Sequence, residues 1–251
     1  MKHIDLNCDM GESFGRFEVG NDADIFPYIT SCNIACGFHG GDPYHIERTI
    51  DLALEHQVQI GAHPGFPDLA GFGRRRMDLP ASELRAAIKY QVSALMGMVS
   101  CRGAKLTYVK PHGALYNTMV DDAEVCGTVI EAIAEFGTDI KVMGLAGSQV
   151  QLFCERKQIT FVAEAFADRR YEPNGKLRSR ALEHSVLTDP KEAADQVVSI
   201  VTSHKVVSLN GTKVPLEAES ICVHGDNPKA VEILKAIHQA FEKNQIASKS
   251  F

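Results

Sequence analysis

The chain has 251 residues, of which 45% are apolar and 23% charged, a composition typical of soluble globular proteins with one or two domains. Its net charge of −6 argues against non-specific nucleic-acid binding, which depends on lysine and arginine at the phosphates. No apolar run approaches the roughly 20 residues of a membrane span, and the acidic N-terminal sequence lacks the apolar core of a signal peptide. With seven cysteines, an odd number, we expect reduced thiols in a cytoplasmic protein without membrane or nucleic-acid partners.

Strand-like apolar runs alternate with helical patterns along the whole chain. Strands are predicted at 3–9, 30–36, 58–63, 104–110, 140–145, 160–166 and 220–224. Helices are predicted at 43–56, 82–101, 122–136, 148–157, 190–204 and 228–243, several of them opened by proline. The Asn210-Gly211 turn predicts a small hairpin of 206–209 with 213–216. The polar tail 244–251 is predicted to fray.

Seven strand–helix units without an internal glycine- or serine-rich linker predict a single domain over residues 1–251. Strands that alternate with helices form parallel sheets, either as a closed barrel or as an open doubly wound sheet. An open sheet collects its functional residues at one switch point, whereas here polar residues follow nearly every strand. We therefore expect an α/β fold, a distorted TIM-like (β/α) barrel of seven strands.

Six of the apolar runs end in polar side chains beside glycine or proline. They are IDLNCD (4–9), IACGFHGGD (34–42), IGAHPG (60–65), LTYVKPHG (106–113), FVAEAFAD (161–168) and ICVHGD (221–226). In barrels the active site lies at the carboxyl ends of the strands. The six segments therefore predict one pocket assembled from distant parts of the chain.

The first candidate cluster is a metal site of Asp9, His39 and His63, which follow the first three strands. Because neighbouring strands lie about 4.8 Å apart, one carboxylate and two imidazoles could bind one metal and leave positions open for water. The alternative is that the two histidines hydrogen-bond backbone or substrate without a metal. No HxH or HExxH pair in the sequence decides between these interpretations.

Candidate catalytic residues follow the first, fourth and sixth strands. Lys110 at a strand end can bind a carboxylate or phosphoryl oxygen, and His112 is a candidate general acid or base because imidazole titrates near neutrality. Glu164, and Glu12 after the first strand, could transfer protons if burial shifts the pKa of their carboxyl groups. We assign catalysis to Asp9, Lys110, His112 and Glu164, and place Glu12 among the residues that bind substrate.

Glycines and arginines of the strand-end loops form a second candidate set, suited to an anionic substrate. Glycines allow close approach to the backbone, and arginine suits bidentate recognition of carboxylate or phosphate. The further predicted substrate-binding residues are Gly40, Gly41, Arg74, Arg75, Arg169, His224 and Asp226. For any single arginine, a solvated loop is the competing interpretation. Neither a GxxxxGK[ST] phosphate loop nor a GxSxG nucleophile elbow occurs in the sequence.

Seven motifs of the chain resemble those of the LamB/YcsF family. They are DLNCDMGE (5–12), NIACGFHGGD (33–42), GAHPGFPD (61–68), GFGRR (71–75), VKPHGALYN (109–117), EAFADRRY (164–171) and ICVHGDNP (221–228). They occur in the family's order over about residues 5–240. The resemblance implies a seven-stranded TIM-like barrel that cleaves L-5-oxoproline (pyroglutamate) to L-glutamate, with hydrolysis of ATP to ADP and phosphate.

The resemblance also implies two partner subunits, B and C, and ATP as the consumed cofactor. Since the chain has no Walker-type motif, we expect ATP to be bound with or by those partners. The fold is similar to that of metal-dependent carbohydrate deacetylases, in which an aspartate and two histidines hold a metal. Asp9, His39 and His63 occupy comparable places, which makes a divalent metal a second candidate cofactor.

Three hypotheses about function remain open on the sequence. In the favoured one, His112 or Asp9 activates water, Lys110 stabilises negative charge, and an arginine of 74–76 or 169–170 holds the substrate carboxylate. The second is a stand-alone, metal-dependent hydrolase or deacetylase that acts on a small amide or carbohydrate without ATP. The third is a non-catalytic carrier that binds 5-oxoproline and docks to the partner subunits.

Overall fold

A computed structural model describes residues 2–251 of the chain. Its strands are β1 (Lys2–Met10), β2 (Ser31–Ala35), β3 (Gln59–His63), β4 (Tyr108–Val109), β5 (Lys141–Leu145), β6 (Phe161–Phe166), β7 (Lys205–Val207), β8 (Lys213–Pro215), β9 (Ser220–His224) and β10 (Ile246–Ser248). Its α-helices are α1 (Asp22–Ile25), α2 (Pro43–Glu55), α3 (Ala81–Cys101), α4 (Gly113–Asp121), α5 (Ala123–Ala134), α6 (Val150–Arg156), α7 (Pro190–Ser203) and α8 (Ala230–Asn244). No helix of the described residues is long and apolar enough to cross a membrane.

Seven parallel strands close into a barrel in the order β1-β2-β3-β4-β5-β6-β9, and β9 pairs back to β1. The predicted α/β class and seven-stranded TIM-like barrel are therefore confirmed. The ring is irregular at β4, which contributes only two residues. The hairpin predicted around Asn210-Gly211 is present as the antiparallel pair β7–β8, outside the barrel.

The barrel interior is polar, and the sequence of β1 explains why. Leu6, Cys8 and Met10 belong to the apolar core. The alternate residues Asp5 and Asn7 both hydrogen-bond to Ser220 of the neighbouring strand β9. Because successive side chains of a strand point to opposite faces, one strand serves both the apolar layer and the hydrogen-bonded interior.

Two elements near β4 differ from the prediction. The strand predicted at 104–110 is regular only at Tyr108–Val109, although ladder-like bonds from Thr107 and Lys110 to β3 extend it on either side. The nine-residue helix α4 follows directly and is absent from the prediction. Pro111 and Gly113, which has a left-handed backbone (φ 52°), are not typical of a helix start, so the sequence pattern does not indicate one there. Asp122 separates α4 from α5 and caps α5 by accepting hydrogen bonds from two backbone N–H groups.

The tail 244–251 does not fray, which corrects the prediction. Ile246–Ser248 forms β10, parallel to Lys2–Ile4 of β1. The ring of Phe251 then packs edge-on against Tyr108, with centroids 5.2 Å apart. Two apolar residues in a polar tail, Ile246 and Phe251, supply the contacts that order it.

Candidate active site at the carboxyl end of the barrel

A cavity of about 420 Å³ opens among the loops at the carboxyl ends of the strands. Seven of the predicted site residues line it, namely Asp9, His63, Arg74, Lys110, His112, Arg169 and His224. Glu164 lies behind Lys110 in the barrel interior, and Glu12 and His39 lie behind His112. The barrel thus brings together side chains from six of its seven strands or the loops that follow them.

Lys110 is a buried cation between two carboxylates. Its Nζ lies 2.9 Å from Asp9 Oδ1 and 2.7 Å from Glu164 Oε1, and the residue is only 2% exposed. Burial opposes the charge, but the attraction of Asp9 outweighs it and holds the pKa of Lys110 well above its usual value. Lys110 is therefore an ammonium group that stabilises negative charge, and it does not act as a base.

Asp9 is held as a carboxylate by its neighbours. Its Oδ1 accepts from Lys110 and, at 2.8 Å, from Asn33 Nδ2. Burial raises the pKa of Asp9, but the attraction of His63 and Lys110 lowers it by more. The pKa of Asp9 therefore lies well below its usual range. The Tyr108 hydroxyl donates to Asn33 Oδ1 at 2.7 Å, which fixes the Asn33 amide so that its NH₂ group faces Asp9.

The rings of His63 and His112 face each other through nitrogens that cannot hydrogen-bond to each other when both rings are neutral. His63 Nδ1 lies 2.7 Å from the Lys110 carbonyl and His112 Nε2 lies 2.9 Å from the Phe72 carbonyl, so each of these nitrogens must donate. The remaining nitrogens, His63 Nε2 and His112 Nδ1, are 2.9 Å apart. In two neutral rings both would carry lone pairs, which repel each other unless a proton or a cation lies between them.

Glu12 and His39 complete this cluster. His39 Nε2 lies 3.1 Å from Glu12 Oε1, and its ring stacks on His112 with centroids 3.6 Å apart. His39 Nδ1 is buried and has no hydrogen-bond partner among residues 2–251. Burial raises the pKa of Glu12 well above its usual value and lowers those of His39 and His112 well below theirs.

The histidine–glutamate cluster fits a divalent metal. One ligand atom from each of Glu12, His39, His63 and His112 lies within 4.8 Å of the other three. Neutral imidazoles with one carboxylate form a typical donor set for zinc and related ions. The structure thus joins His39 and His63 of the predicted metal set to Glu12 and His112, while Asp9 Oδ2 stands 3.4 Å from His63.

A second group of metal-type donors does not fit a metal. Asp9, Cys222 and His224 also offer ligand atoms within 4.8 Å of one another. However, Lys110 Nζ lies 2.9 Å from Asp9 Oδ1 and 3.2 Å from Cys222 Sγ. The ammonium group already supplies the positive charge at this place, and burial raises the pKa of the Cys222 thiol well above its usual value.

His224 is oriented by a buried carboxylate. Its Nδ1 lies 2.7 Å from Asp168 Oδ1, and Asp168 also accepts from Asn227 Nδ2 at 3.0 Å. Burial raises the pKa of Asp168, but the charge of His224 and these hydrogen bonds lower it below the usual value. With Nδ1 committed to Asp168, Nε2 has no hydrogen-bond partner in residues 2–251 and is free to accept a proton.

Besides Glu12, four predicted substrate-binding residues lie outside the cavity lining. Arg75 pairs with Asp68, and Asp226 pairs with Arg74 at the rim. Gly40 and Gly41 pack against the chain at Glu12: a Cβ on Gly40 would lie 2.8 Å from the Glu12 carbonyl oxygen. The two glycines therefore position Glu12 and its cluster.

Two residues of the site are missing from the sequence prediction as functional side chains. Asp168 is noted there only as the end of the run FVAEAFAD, without a role, and its pairing with His224 requires knowledge that β6 and β9 are neighbours. Tyr116, on the unpredicted helix α4, lines the cavity with a buried hydroxyl that has no partner among the described residues. The signal for Tyr116 is its place in the motif VKPHGALYN.

Fold and site together define a closed (β/α) barrel with a buried lysine–carboxylate centre and a histidine–glutamate cluster at the strand ends. The chain belongs to the LamB/YcsF family, whose profile matches residues 4–251. This confirms the resemblance of the motifs.

Relatives of known name and structure agree with that assignment. The chain is 47% identical over 248 residues to the A subunit of the 5-oxoprolinase of Bacillus cereus (strain Q1), covering 98% of each. It is 40% identical to a lactam utilization protein from Thermus thermophilus, whose crystal structure superposes with a TM-score of 0.93 over 100% of both chains. The catalytic domain of a peptidoglycan N-acetylglucosamine deacetylase from Eubacterium rectale shares the fold alone, with 11% identity and a TM-score of 0.56 over 100% of this chain and 88% of that one.

Proposed function

We propose that this chain is the lactam-opening subunit of an ATP-dependent 5-oxoprolinase, which converts L-5-oxoproline to L-glutamate. The names of the Bacillus cereus and Thermus thermophilus relatives support the proposal. The observation that carries it is the presence, in one cavity, of the Lys110 ammonium and the Asp168-oriented imidazole of His224. Hydrolysis of an amide requires both a stabiliser for the developing oxyanion and a base for water.

ATP enters the proposal because a lactam is a poor electrophile. Resonance stabilises the ring amide, and phosphorylation of its oxygen makes the ring carbon far easier for water to attack. The chain has no Walker-type phosphate loop, so we assign the phosphorylation step to the partner subunits, B and C. ATP is then bound with or by those partners, and this barrel receives the activated ring.

The ring-opening step balances with two water molecules. Water adds to the phosphorylated ring carbon, and His224 Nε2 takes the proton that this water releases. The C=N electrons move to the ring nitrogen, which the same imidazolium protonates. The added hydroxyl then passes its proton to this nitrogen, the C–N bond breaks as the carbonyl forms, and an acyl phosphate of glutamate remains. A second water molecule hydrolyses the acyl phosphate to glutamate and phosphate. The Lys110 ammonium stabilises the oxyanion that precedes C–N cleavage and the oxyanion that forms when the second water adds.

The structure favours His224 over His112 and Asp9 as the base that activates water. His112 Nε2 donates to the Phe72 carbonyl, and its Nδ1 faces His63 Nε2 inside the histidine–glutamate cluster. The carboxylate of Asp9 is committed to Lys110, Asn33 and the neighbouring His63. Arg74 lines the cavity and pairs with Asp226 at its rim, and it exchanges this partner for the substrate carboxylate.

We also propose that Glu12, His39, His63 and His112 hold a divalent metal. When bound there, the ion would lower the pKa of a water molecule and polarise a carbonyl oxygen. The orphaned His39 Nδ1 and the facing nitrogens of His63 and His112 support this assignment.

Metal titration tests that part of the proposal without any activity assay. Metal-free protein titrated with Co²⁺ should bind one equivalent and develop the visible absorption of a nitrogen-ligated ion. His39→Ala should weaken binding at least tenfold, whereas His204→Ala, outside the cluster, should leave it unchanged. Equal Co²⁺ binding by the wild type and His39→Ala would contradict the ligand assignment.

Glutamate formation from 5-oxoproline tests the function itself. The purified chain should form no glutamate alone, with or without ATP, and should form it when both partner subunits and ATP are added. Glutamate formed by the chain with ATP but without partners would refute the division of labour. Cleavage of small amides by the metal-loaded chain without ATP would instead establish the stand-alone hydrolase, which the four-ligand cluster makes the second candidate.

A further inference from the structure

The rim of the cavity carries a strong excess of positive charge. Besides Lys110 in the interior, six cationic residues line the cavity, namely Arg74, Arg76, Arg169, Lys176, Arg178 and Arg180. The acidic residues of the whole lining are Asp9 and Asp121. Because Asp9 is already committed to Lys110 in the interior, the excess belongs to the rim.

Four of the six rim cations have a carboxylate partner at hydrogen-bonding distance. Arg74 pairs with Asp226 and Lys176 with Asp121. The corresponding distances are 3.0 Å from Arg76 to Asp122 and 2.7 Å from Arg178 to Glu172. Arg169 has no such partner, and Arg180 reaches only Asp226, the partner of Arg74, at 3.9 Å. Arg169 and Arg180 are therefore the two cations that can take a ligand without giving up a close carboxylate.

Arg169 is a buried guanidinium group in a fixed position. It is 4% exposed, its Nε donates to the Ser185 carbonyl at 3.2 Å, and its Nη2 donates to the Arg178 carbonyl. No carboxylate among residues 2–251 forms an ion pair with it, and Asp168 beside it in sequence is committed to His224 and Asn227. Burial, with the charge of Arg180 next, lowers the pKa of Arg169 to about 10, so it stays charged at neutral pH.

Arg180 faces the same cavity without a hydrogen bond to any of the described residues. Its nearest carboxylate oxygen, Asp226 Oδ2, is 3.9 Å away and already serves Arg74. Two like-charged guanidinium groups at one cavity wall are unfavourable unless an anion joins them. A dianionic tetrahedral oxyanion suits such a pair, since each guanidinium can donate to different oxygens of the same group.

We infer that Arg169 and Arg180 form a phosphoryl-binding subsite, so that the ring reaches this chain already phosphorylated. The inference rests on the proposed function and deepens it: Arg74 takes the substrate carboxylate, and the Arg169–Arg180 pair takes the phosphoryl group. A cavity of about 420 Å³ is within the range that holds ligands larger than a single small ring.

Calorimetric titration of the isolated chain with inorganic phosphate, at constant ionic strength, tests the subsite. Phosphate should bind more tightly than acetate. Arg180→Ala should weaken phosphate binding at least tenfold. Arg169→Lys, which keeps the buried charge but loses the paired N–H donors of the guanidinium group, should also weaken phosphate binding. Arg156→Ala is the matched control, because this exposed arginine of α6 also lacks a carboxylate partner and lies outside the cavity.

Other titrations separate the sources of the phosphoryl group. Phosphate and 5-oxoproline should bind together, and Arg74→Ala should weaken 5-oxoproline while sparing phosphate. ATP that binds at least tenfold tighter than phosphate, with the same dependence on Arg180, would assign the subsite to the nucleotide and overturn the inference. Phosphate affinity that is unchanged in Arg180→Ala, or no better than that of acetate, would also overturn it.

The reconstituted enzyme separates this inference from the proposed function. Arg180→Ala with unchanged KM and kcat for glutamate formation would refute the subsite and leave the proposed function intact. A wild-type complex that forms no glutamate would refute the proposed function, whatever the phosphate titration shows.

Discussion

At the scale of residues, the candidate site depends on buried charges and on the partners that neutralise them. Lys110, Asp9 and Glu164 are each almost completely buried, and together they place one positive and two negative groups in the barrel interior. A buried charge is tolerated only when partners and hydrogen bonds replace water. Polar groups of Asn7, Asn33 and Cys222 add further contacts, so the cluster is one connected network.

Replacement of Lys110 by methionine should destabilise the protein strongly. The substitution keeps the length of the side chain but leaves two buried carboxylates without their cation, which costs about 3–5 kcal/mol. Urea titration of both proteins at pH 7 measures the change in the free energy of unfolding. Lys89→Met, which removes an exposed partner of Glu135, is the control and should change stability little. A loss of less than about 1 kcal/mol in Lys110→Met would contradict the network.

At the scale of elements, the N-terminal cap of helix α2 holds together two loops of the candidate site. Asp42 caps it by accepting from the N–H groups of Tyr44 and His45, and it also accepts from Gly15 N at 2.7 Å. Burial opposes the charge, but these hydrogen bonds and His45 together outweigh it and lower the pKa of Asp42 to about 2. The cap therefore joins the loop after β1 to the loop after β2.

The Asp42 cap should make stability depend on pH in the acid range. Because the folded pKa lies below that of the unfolded chain, the charge stabilises the fold fully above about pH 4 and progressively less towards pH 2. Asp42→Asn should cost about 1–2 kcal/mol at pH 7, and the difference from wild type should shrink between pH 4 and pH 2. Urea titrations at pH 7, 4 and 3 measure it, and a difference independent of pH would be the contrary result.

We expect the C-terminal segment from Ile246 to Phe251 to stabilise the folded protein. Phe251→Ala removes the ring that packs on Tyr108 and should cost about 1–3 kcal/mol, as for a partly buried aromatic. Thermal unfolding monitored by circular dichroism measures the loss. Lys249→Ala, whose side chain is exposed on the same segment, should unfold at the wild-type temperature. Equal unfolding temperatures for wild type and Phe251→Ala would show that the tail frays after all.

Much of the barrel could be predicted from the sequence because its strands are short apolar runs between glycine, proline and helical patterns. Helix α4 could not, since it begins at a left-handed glycine after Pro111 and is only nine residues long. Strand β10 could not either, because three residues carry no periodic signal and their pairing with Lys2–Ile4 spans the whole chain.

The candidate site was predictable to the extent that its residues end strands. Asp9, Lys110 and His224 illustrate this, since each directly follows or ends an apolar run. The pairing of His224 with Asp168 depends on which strands are neighbours, and the entry of Glu12 into the histidine cluster depends on loop conformation. Neither property is encoded in local periodicity.

For the whole molecule, closure of the barrel creates a charge asymmetry that the overall composition hides. The chain has a net charge of −6, yet the rim of its cavity is cationic. Clefts lined by one sign of charge focus the field and attract ligands of the opposite sign. An anionic, phosphorylated lactam handed over by partner subunits fits this arrangement better than a neutral amide or sugar.

The ratio of ADP to glutamate in the complex of this chain with its partner subunits tests the central proposal most directly. The wild-type complex should form the two products in equal amounts from 5-oxoproline and ATP. With His224→Ala, glutamate formation should fall at least 100-fold because water loses its base, while ADP formation continues in the partners and the ratio rises. Parallel loss of both products, or glutamate formation that survives in His224→Ala, would contradict a ring-opening role for this barrel.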